Sequence, residues 1–484
     1  MRAPTSDERL IPDLCIIGAG SAGLSVAAGA VQMGASVVLI EDAEMGGDCL
    51  NRGCVPSKAL IAAAKHAQAH RASGAYGVAA ADPAVDYARA MEHVQAAIAR
   101  IAPHDSQERF EALGCTVIRA RAAFVSPSEV EAGGQRVRAR RFVVATGSRP
   151  MVPPIEGIDA VPYLTNETIW SNRTLPSHLI VIGGGPIGME MAQAHRRLGS
   201  RVTVLEAGPR VFAKDDPDAA AVVVRRLRAE GVEIRENAKA TRVEGRAGAI
   251  TVTLGGGEAG EGETIEGSHL LVAAGRRPGL DLGLEAGGIA YTTRGVEVDE
   301  GLRSTTNRRV YAIGDVAGGL QFTHVAGWHA GLVVRSALFR LPVKADTRHV
   351  PWCSYTDPEL AQVGLTEAQA RERHGDGVEV VTVDLGANDR AVAEGVEDGL
   401  LKAVVDRRGR VLGASIAGPH AGELIAPWAL AIANKLKIGA FASTVLPYPT
   451  LSEASKKAAS EYYAPRLFES DLVKRVVRGL ARLG

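Results

Sequence analysis

A chain of 484 residues, 46% of them hydrophobic and with a formal net charge of zero, is too long for one hydrophobic core and calls for two or three domains. The charge balance gives a nucleic-acid partner no footing, and no charge-free apolar run is long enough to span a bilayer. Five cysteines in so long a chain exclude a secreted disulfide framework, so a close cysteine pair reads as catalytic or metal-binding. The stretch before Leu14 carries Arg2, Asp7, Glu8 and Arg9 without an apolar signal core, and a cytoplasmic protein is expected.

Leu14-Cys15-Ile16-Ile17 reads as a buried parallel strand. Gly18-Ala19-Gly20-Ser21-Ala22-Gly23 follows, then an Ala-rich helical stretch to about Gly34 and a second strand, Ser36-Val37-Val38-Leu39-Ile40, closed by Glu41. This is the dinucleotide-binding pattern. Gly18, Gly20 and Gly23 permit a tight turn and close backbone approach to a pyrophosphate, the helix N-terminus offers N–H donors, and the carboxylate holds ribose hydroxyls. The same order returns at Leu179-Ile180-Val181-Ile182, with Gly183, Gly185 and Gly188, a helix to Gly199, and Arg201-Val202-Thr203-Val204-Leu205 before Glu206. Each carboxylate lies 23 residues after the first glycine of its copy. Each copy also ends alike, at Phe142-Val143-Val144-Ala145-Thr146-Gly147 and at Leu270-Leu271-Val272-Ala273-Ala274-Gly275. One such glycine pattern is weak evidence; two in matching context are strong.

Copy one is the longer by 37 residues, which include Gly46-Gly47-Asp48-Cys49-Leu50-Asn51-Arg52-Gly53-Cys54-Val55-Pro56-Ser57-Lys58. The spacing brings the two sulfurs together across one turn if the segment starts a helix, and a helix N-terminus lowers a thiol pKa. Half of a zinc site is the alternative, but it needs a second ligand pair, and Cys15, Cys115 and Cys353 are scattered singles that read as inert buried thiols.

The motif Cys49-Leu50-Asn51-Arg52-Gly53-Cys54-Val55-Pro56-Ser57-Lys58, set in this doubled frame, resembles the signature of the pyridine nucleotide–disulfide oxidoreductases, the family of dihydrolipoamide dehydrogenase, glutathione reductase and mercuric reductase. The resemblance covers the whole chain. It implies an α/β fold: two nested Rossmann-like domains, for FAD at residues 1–150 and 276–346 and for NAD(P)H at 151–275, with a C-terminal α+β dimerisation domain at 347–484. It implies that FAD lies on Gly18, Gly20, Gly23, Glu41, Gly47, Asp48, Lys58, Thr146, Gly147, Gly314 and Asp315, the last two in Tyr311-Ala312-Ile313-Gly314-Asp315. The nicotinamide nucleotide would lie on Gly183, Gly185, Gly188, Glu206 and Gly275. Cys54 is then the thiolate against the flavin, Cys49 exchanges with substrate, and Lys58 and Glu190 form an ion pair beside the reactive flavin nitrogen. No resident metal is implied. Glu206 favours NADH, since a 2′-phosphate would meet like charge, while Arg201 and Arg210 leave NADPH open.

Past Thr347 the pattern changes. Leu400-Leu401-Lys402-Ala403-Val404-Val405, Asp406-Arg407-Arg408-Gly409 and Val411-Leu412-Gly413 read as a hairpin, and the resemblance makes this region the interface of a homodimer. The family's His-Pro-Thr-x-x-Glu stands here as Tyr448-Pro449-Thr450-Leu451-Ser452-Glu453. Tyrosine titrates near ~10 against ~6.5 for histidine, so Tyr448 is a poor base at neutral pH. A small or protein-bound disulfide or dithiol remains the leading substrate. Tyrosine at this place is shared with mercuric reductase, as are Met191-Ala192-Gln193-Ala194 and Tyr355-Thr356-Asp357-Pro358; the terminal Cys-Cys pair of that enzyme is absent. A soft-metal reductase, a thioether-cleaving enzyme and a redox sensor with little turnover are the other readings. The amphipathic basic tail from Leu472 to Leu483 is expected to cap the fold, with contact to a membrane surface or an acidic partner as the alternative.

Overall fold

The structure, a computed structural model, describes residues 9–255 and 262–483. Arg2, Asp7 and Glu8, on which the expectation of a leaderless start rests, lie outside the described residues. The chain divides into two compact units, one holding Ala194–Ala207, Ala238–Asp346 and the residues up to Gly183, the other Gly184–Gln193, Gly208–Asn237 and the residues from Thr347 on.

Two parallel sheets carry the first unit. Their strands are β1 (Leu14–Ile17), β2 (Val37–Glu41), β3 (Thr116–Arg119), β4 (Arg141–Val144), β5 (His178–Ile182), β6 (Arg201–Leu205), β7 (His269–Val272) and β8 (Val310–Ala312). The first sheet runs β8-β4-β1-β2-β3, and in the second β6, β5 and β7 are neighbours in that order. Their apolar runs are buried on both faces, as an interior parallel sheet requires. Leu14, Ile16, Leu39, Val143 and Tyr311 face one core; Cys15, Ile17, Val38, Phe142 and Val144 face the other. Helices α1 (Ser21–Gln32) and α5 (Thr323–Phe339) cover the first of these cores, while α2 (Gly47–Asn51) and α3 (Cys54–Ala72) bear the cysteines. Between α3 and α5 in the chain, α4 (Pro186–Leu198) follows β5.

The doubled sequence is a doubled set of hydrogen bonds. The Gly18 N–H donates to the Ile40 carbonyl at 2.8 Å and Ala145 N–H to Ile17 at 2.8 Å. In the second copy Gly183 donates to Leu205 and Ala273 to Ile182, both at 2.8 Å. Gly18 and Gly183 have φ of 105° and 112°, and a Cβ on either would overlap a carbonyl oxygen, that of Ala145 or of Ala273. Only glycine fits there.

The second unit is built on an antiparallel sheet. Its strands are β9 (Pro351–Ser354), β10 (Glu359–Gly364), β11 (Val378–Asp384), β12 (Leu400–Asp406) and β13 (Val411–Gly418), in the order β9-β10-β13-β12-β11. The expected hairpin is β12–β13, closed by the Gly409 N–H donating to the Asp406 carbonyl at 2.8 Å. Helices α6 (Asp389–Ala393), α7 (Glu453–Phe468) and α8 (Asp471–Leu480) belong to this unit, in whose core Trp428, Leu401, Ile416 and Ala458 are buried. The result is the α/β class with a C-terminal α+β region.

Lys402 on β12 is buried in this unit, with 3% of its side chain exposed. Its ammonium meets Asp216 at 3.1 Å and Glu367 at 3.0 Å, and Asp218 as well. Burial alone would lower its pKa, but hydrogen bonds to Asp218, Glu367 and Asp216 outweigh it and hold the proton more firmly than usual. Asp216 also caps the helix Pro217–Ala229, so it cannot turn to water when its partner is lost. Lys402→Met is expected to destabilise the fold by about 3 kcal/mol, because it strands a buried carboxylate. Urea unfolding at neutral pH checks this: a midpoint equal to that of the wild type contradicts it.

Candidate active site

Cys49 and Cys54 do not share one helical turn. The chain forms α2, breaks at Arg52 and Gly53, and restarts as α3 with Cys54 as its first residue. The two side chains still meet. Cys49 hydrogen-bonds to the Cys54 sulfur. The Cys54 sulfur and burial push the Cys49 thiol well above its ordinary range, with hydroxyl bonds from Thr323 and Ser21 opposing the shift.

Three helix starts converge here. Cys54 opens α3, Ser21 opens α1 and Thr323 opens α5; the Thr323 hydroxyl lies 3.4 Å from the Cys54 sulfur. None of these helices has a side-chain cap or an acidic residue in its first turn. Three uncapped positive dipole ends favour a thiolate at this point. Ser21 and Thr323 were not singled out from the sequence as site residues; both stand at the start of an apolar helical stretch, which was the signal available. By contrast Cys15 and Cys115 are buried, and burial pushes both thiols up, as inert cysteines should behave, whereas Cys353, expected to be buried as well, is partly exposed.

The glycine turns fit two nucleotide cofactors. Beside Gly20, a Cβ would find only the Gly47 Cα within 4 Å, and beside Gly185 nothing at all, so each turn leaves room for a pyrophosphate. Helix α4, like α1, has no acidic residue in its first turn. Glu41 accepts N–H bonds from Ala19 and, at 2.8 Å, from Ala43, which ties the carboxylate to the first turn. Thr146 bonds to the Gly279 carbonyl at 2.7 Å, and Gly147 and Gly275 take φ of 62° and 126°. Gly314 donates to His329, whose burial lowers its pKa to about 4 and keeps it neutral.

Asp48 and Asp315, far apart in sequence, are joined by Arg276. Its guanidinium lies 3.0 Å from Asp48 and 3.9 Å from Asp315, and it donates to the Ser148 hydroxyl at 2.7 Å. Burial pushes the Asp48 carboxyl up, and Arg276 opposes it. Arg276 directly follows Gly275, but nothing local in the sequence marks its partners. Lys58 lies on α3 in the first unit; Glu190 lies on α4 in the second, where it accepts the Tyr355 N–H at 2.8 Å.

In the second unit Tyr448 is 71% exposed, and its hydroxyl donates to Asp389, the first residue of α6, at 2.8 Å. That bond and the Asp389 charge raise the phenol pKa. Glu453 instead accepts the Thr450 N–H at 3.2 Å, at the start of α7. Asp389 went unnoticed in the sequence because it lies 59 residues away.

Residues 12–330 match the family profile described as pyridine nucleotide-disulphide oxidoreductase, and residues 350–459 match that family's dimerisation domain. The chain belongs to this family. A mercuric reductase of Streptomyces lividans is 36% identical over 473 residues, covering 96% of this chain and 97% of that protein. A dihydrolipoyl dehydrogenase of Thermus scotoductus is 36% identical over 470 residues, 92% of this chain and 96% of its own. Among solved structures, the Cu(II) complex of the HOCl-induced flavoprotein disulfide reductase RclA from Escherichia coli aligns with a TM-score of 0.81 at 30% identity, over 92% of this chain and 98% of that one. This oxidoreductase therefore uses FAD and a pyridine nucleotide with a disulfide redox centre, and its dimerisation domain supports a homodimer. Among the described residues, no helix is long and apolar enough to cross a membrane.

If Cys54 is the sulfur that gives up its proton first, anaerobic reduction with NADH should raise a long-wavelength absorbance band in the wild type, and Cys49→Ser, which has no disulfide to reduce, should show that band before any NADH is added. The band should be absent in Cys54→Ser. Its persistence in Cys54→Ser would reverse the assignment of the two thiols.

Proposed function

We propose that this oxidoreductase works in the reductive direction, moving two electrons from NADH through Cys49 and Cys54 to a disulfide acceptor, small or protein-bound. FAD, when bound, supplies the two-electron passage between nicotinamide and sulfur pair. The reading assigns FAD to residues 1–150 and 276–346, the nicotinamide nucleotide to 151–275, and the ion pair beside the flavin to Lys58 and Glu190. On the chain's side, the reduced Cys49 gives up its proton and attacks one sulfur of the acceptor, and the other leaves as a thiolate that takes up a proton. Cys54 then attacks the Cys49 sulfur of the mixed disulfide, the second acceptor thiol departs, and Cys49 and Cys54 close their disulfide. Three helix N-termini support the thiolates through both steps.

The observation that carries the direction is the Tyr448–Asp389 hydrogen bond. An incoming dithiol must lose a proton to attack, and a phenol held protonated by a carboxylate cannot take it. NADH is supported by two arginines that are engaged or distant. Arg210 already donates to the carbonyls of Phe212, Ala213 and Asp215. Arg201 opens β6 while Glu206 follows its end, roughly 16 Å away at ~3.3 Å per residue.

The same tyrosine favours a second reading, a soft cation as acceptor. Paired thiolates are suited to soft metals, and the relatives include mercuric reductases and a disulfide reductase solved with Cu(II). A panel of disulfides, dithiols, Hg(II) and Cu(II) with NADH and NADPH tests both. We expect acceptor-dependent NADH oxidation by the wild type, slow dithiol oxidation with NAD⁺, and a gain in the latter on the order of 10²-fold in Tyr448→His. Fast dithiol oxidation by the wild type, unchanged in Tyr448→His, would contradict the proposed direction.

A further inference from the structure

The C-terminal helix does not cap the fold. No residue of α8 is buried, and Leu472, Val476, Val477 and Leu480 are all exposed. The exposed apolar surface continues backwards to Phe468 at the end of α7 and forwards to Leu483. Leu472, Val473, Val476, Val477 and Leu480 share one arc of the helix, and Lys474, Arg475 and Arg478 occupy the opposite one. Beyond Asp471 the chain has four cations, Arg482 being the last, and no acidic residue. Two features argue against a second copy of the chain as the cover. The match to the shared dimerisation domain ends at residue 459, before α8 begins at Asp471, and a surface of one sign of charge repels its own copy.

We infer that α8 is a surface anchor that lays its apolar arc into the interface of an anionic lipid bilayer, with Lys474, Arg475 and Arg478 reaching the headgroups. Ten residues make a helix of roughly 15 Å, half of a ~30 Å hydrocarbon core, so it lies along the membrane and does not cross it. The cations supply attraction and the valines and leucines supply insertion, and neither alone holds a protein durably. The inference is independent of which acceptor the enzyme reduces.

The test is sedimentation of the full-length FAD-loaded enzyme with phosphatidylcholine vesicles, with and without phosphatidylglycerol. The enzyme should associate with the phosphatidylglycerol vesicles, weakly with phosphatidylcholine alone, and less as salt rises. Arg475→Glu/Arg478→Glu and Val476→Asp/Val477→Asp should each weaken association at least ~10-fold, with NADH turnover and the dimer intact. Three results would overturn the inference: no association with anionic vesicles, equal association with neutral ones, or a Val476→Asp/Val477→Asp enzyme that loses its dimer, which would make a second copy the cover.

Discussion

A thiolate in a sulfur pair needs positive charge close by, and here three helix N-termini supply part of it. Cys54 begins α3, Ser21 places the start of α1 against Cys49, and Thr323 places the start of α5 against both sulfurs. The site therefore depends on three helices beginning at the right points, and each beginning is a matter of backbone geometry. The helix that carries Ser21 also offers its uncapped N-terminus beside Gly20, where the turn is open. One structural feature thus suits both an anionic cofactor and a nearby thiolate.

What holds those starts in register is the close approach of Gly18 to the Ala145 carbonyl, matched in the second copy by Gly183 and Ala273. In both copies the turn glycine bonds back to the neighbouring strand, and the residue after the next strand bonds to the first. The arrangement seals the tip of each parallel sheet while leaving the next glycine clear. Arg276, beside the last glycine of copy two, gathers Asp48 and Asp315 from opposite ends of the first unit. A partly buried guanidinium with carboxylates on either side ties the two segments together.

The parts legible in the sequence are those written in local spacing. Buried parallel strands announce themselves as apolar runs, and a positive-φ turn shows as glycine at fixed positions, so both Rossmann-like sheets and the β12–β13 hairpin could be read directly. The cysteine pair was equally plain, although its geometry was not: Gly53 splits the expected single helix into α2 and α3, and the thiols meet across the break. What stayed hidden were contacts made over long sequence separations. Thr323 reaches Cys54 across 269 residues, and Asp389 reaches Tyr448 across 59. Periodicity reports on a residue's own element and says nothing about which distant side chain will face it. The tail is the converse case. Its amphipathic pattern was visible, but the usual inference that an apolar face packs on the fold fails here, since α8 keeps that face in the open.

Counting thiols in the denatured protein before and after anaerobic reduction with NADH is the most direct check on a sulfur pair that cycles between bonded and separate states. The account predicts that reduction releases two thiols per flavin, both in the peptides that carry Cys49 and Cys54. An unchanged thiol count, or new thiols arising only at Cys15, Cys115 or Cys353, would contradict it.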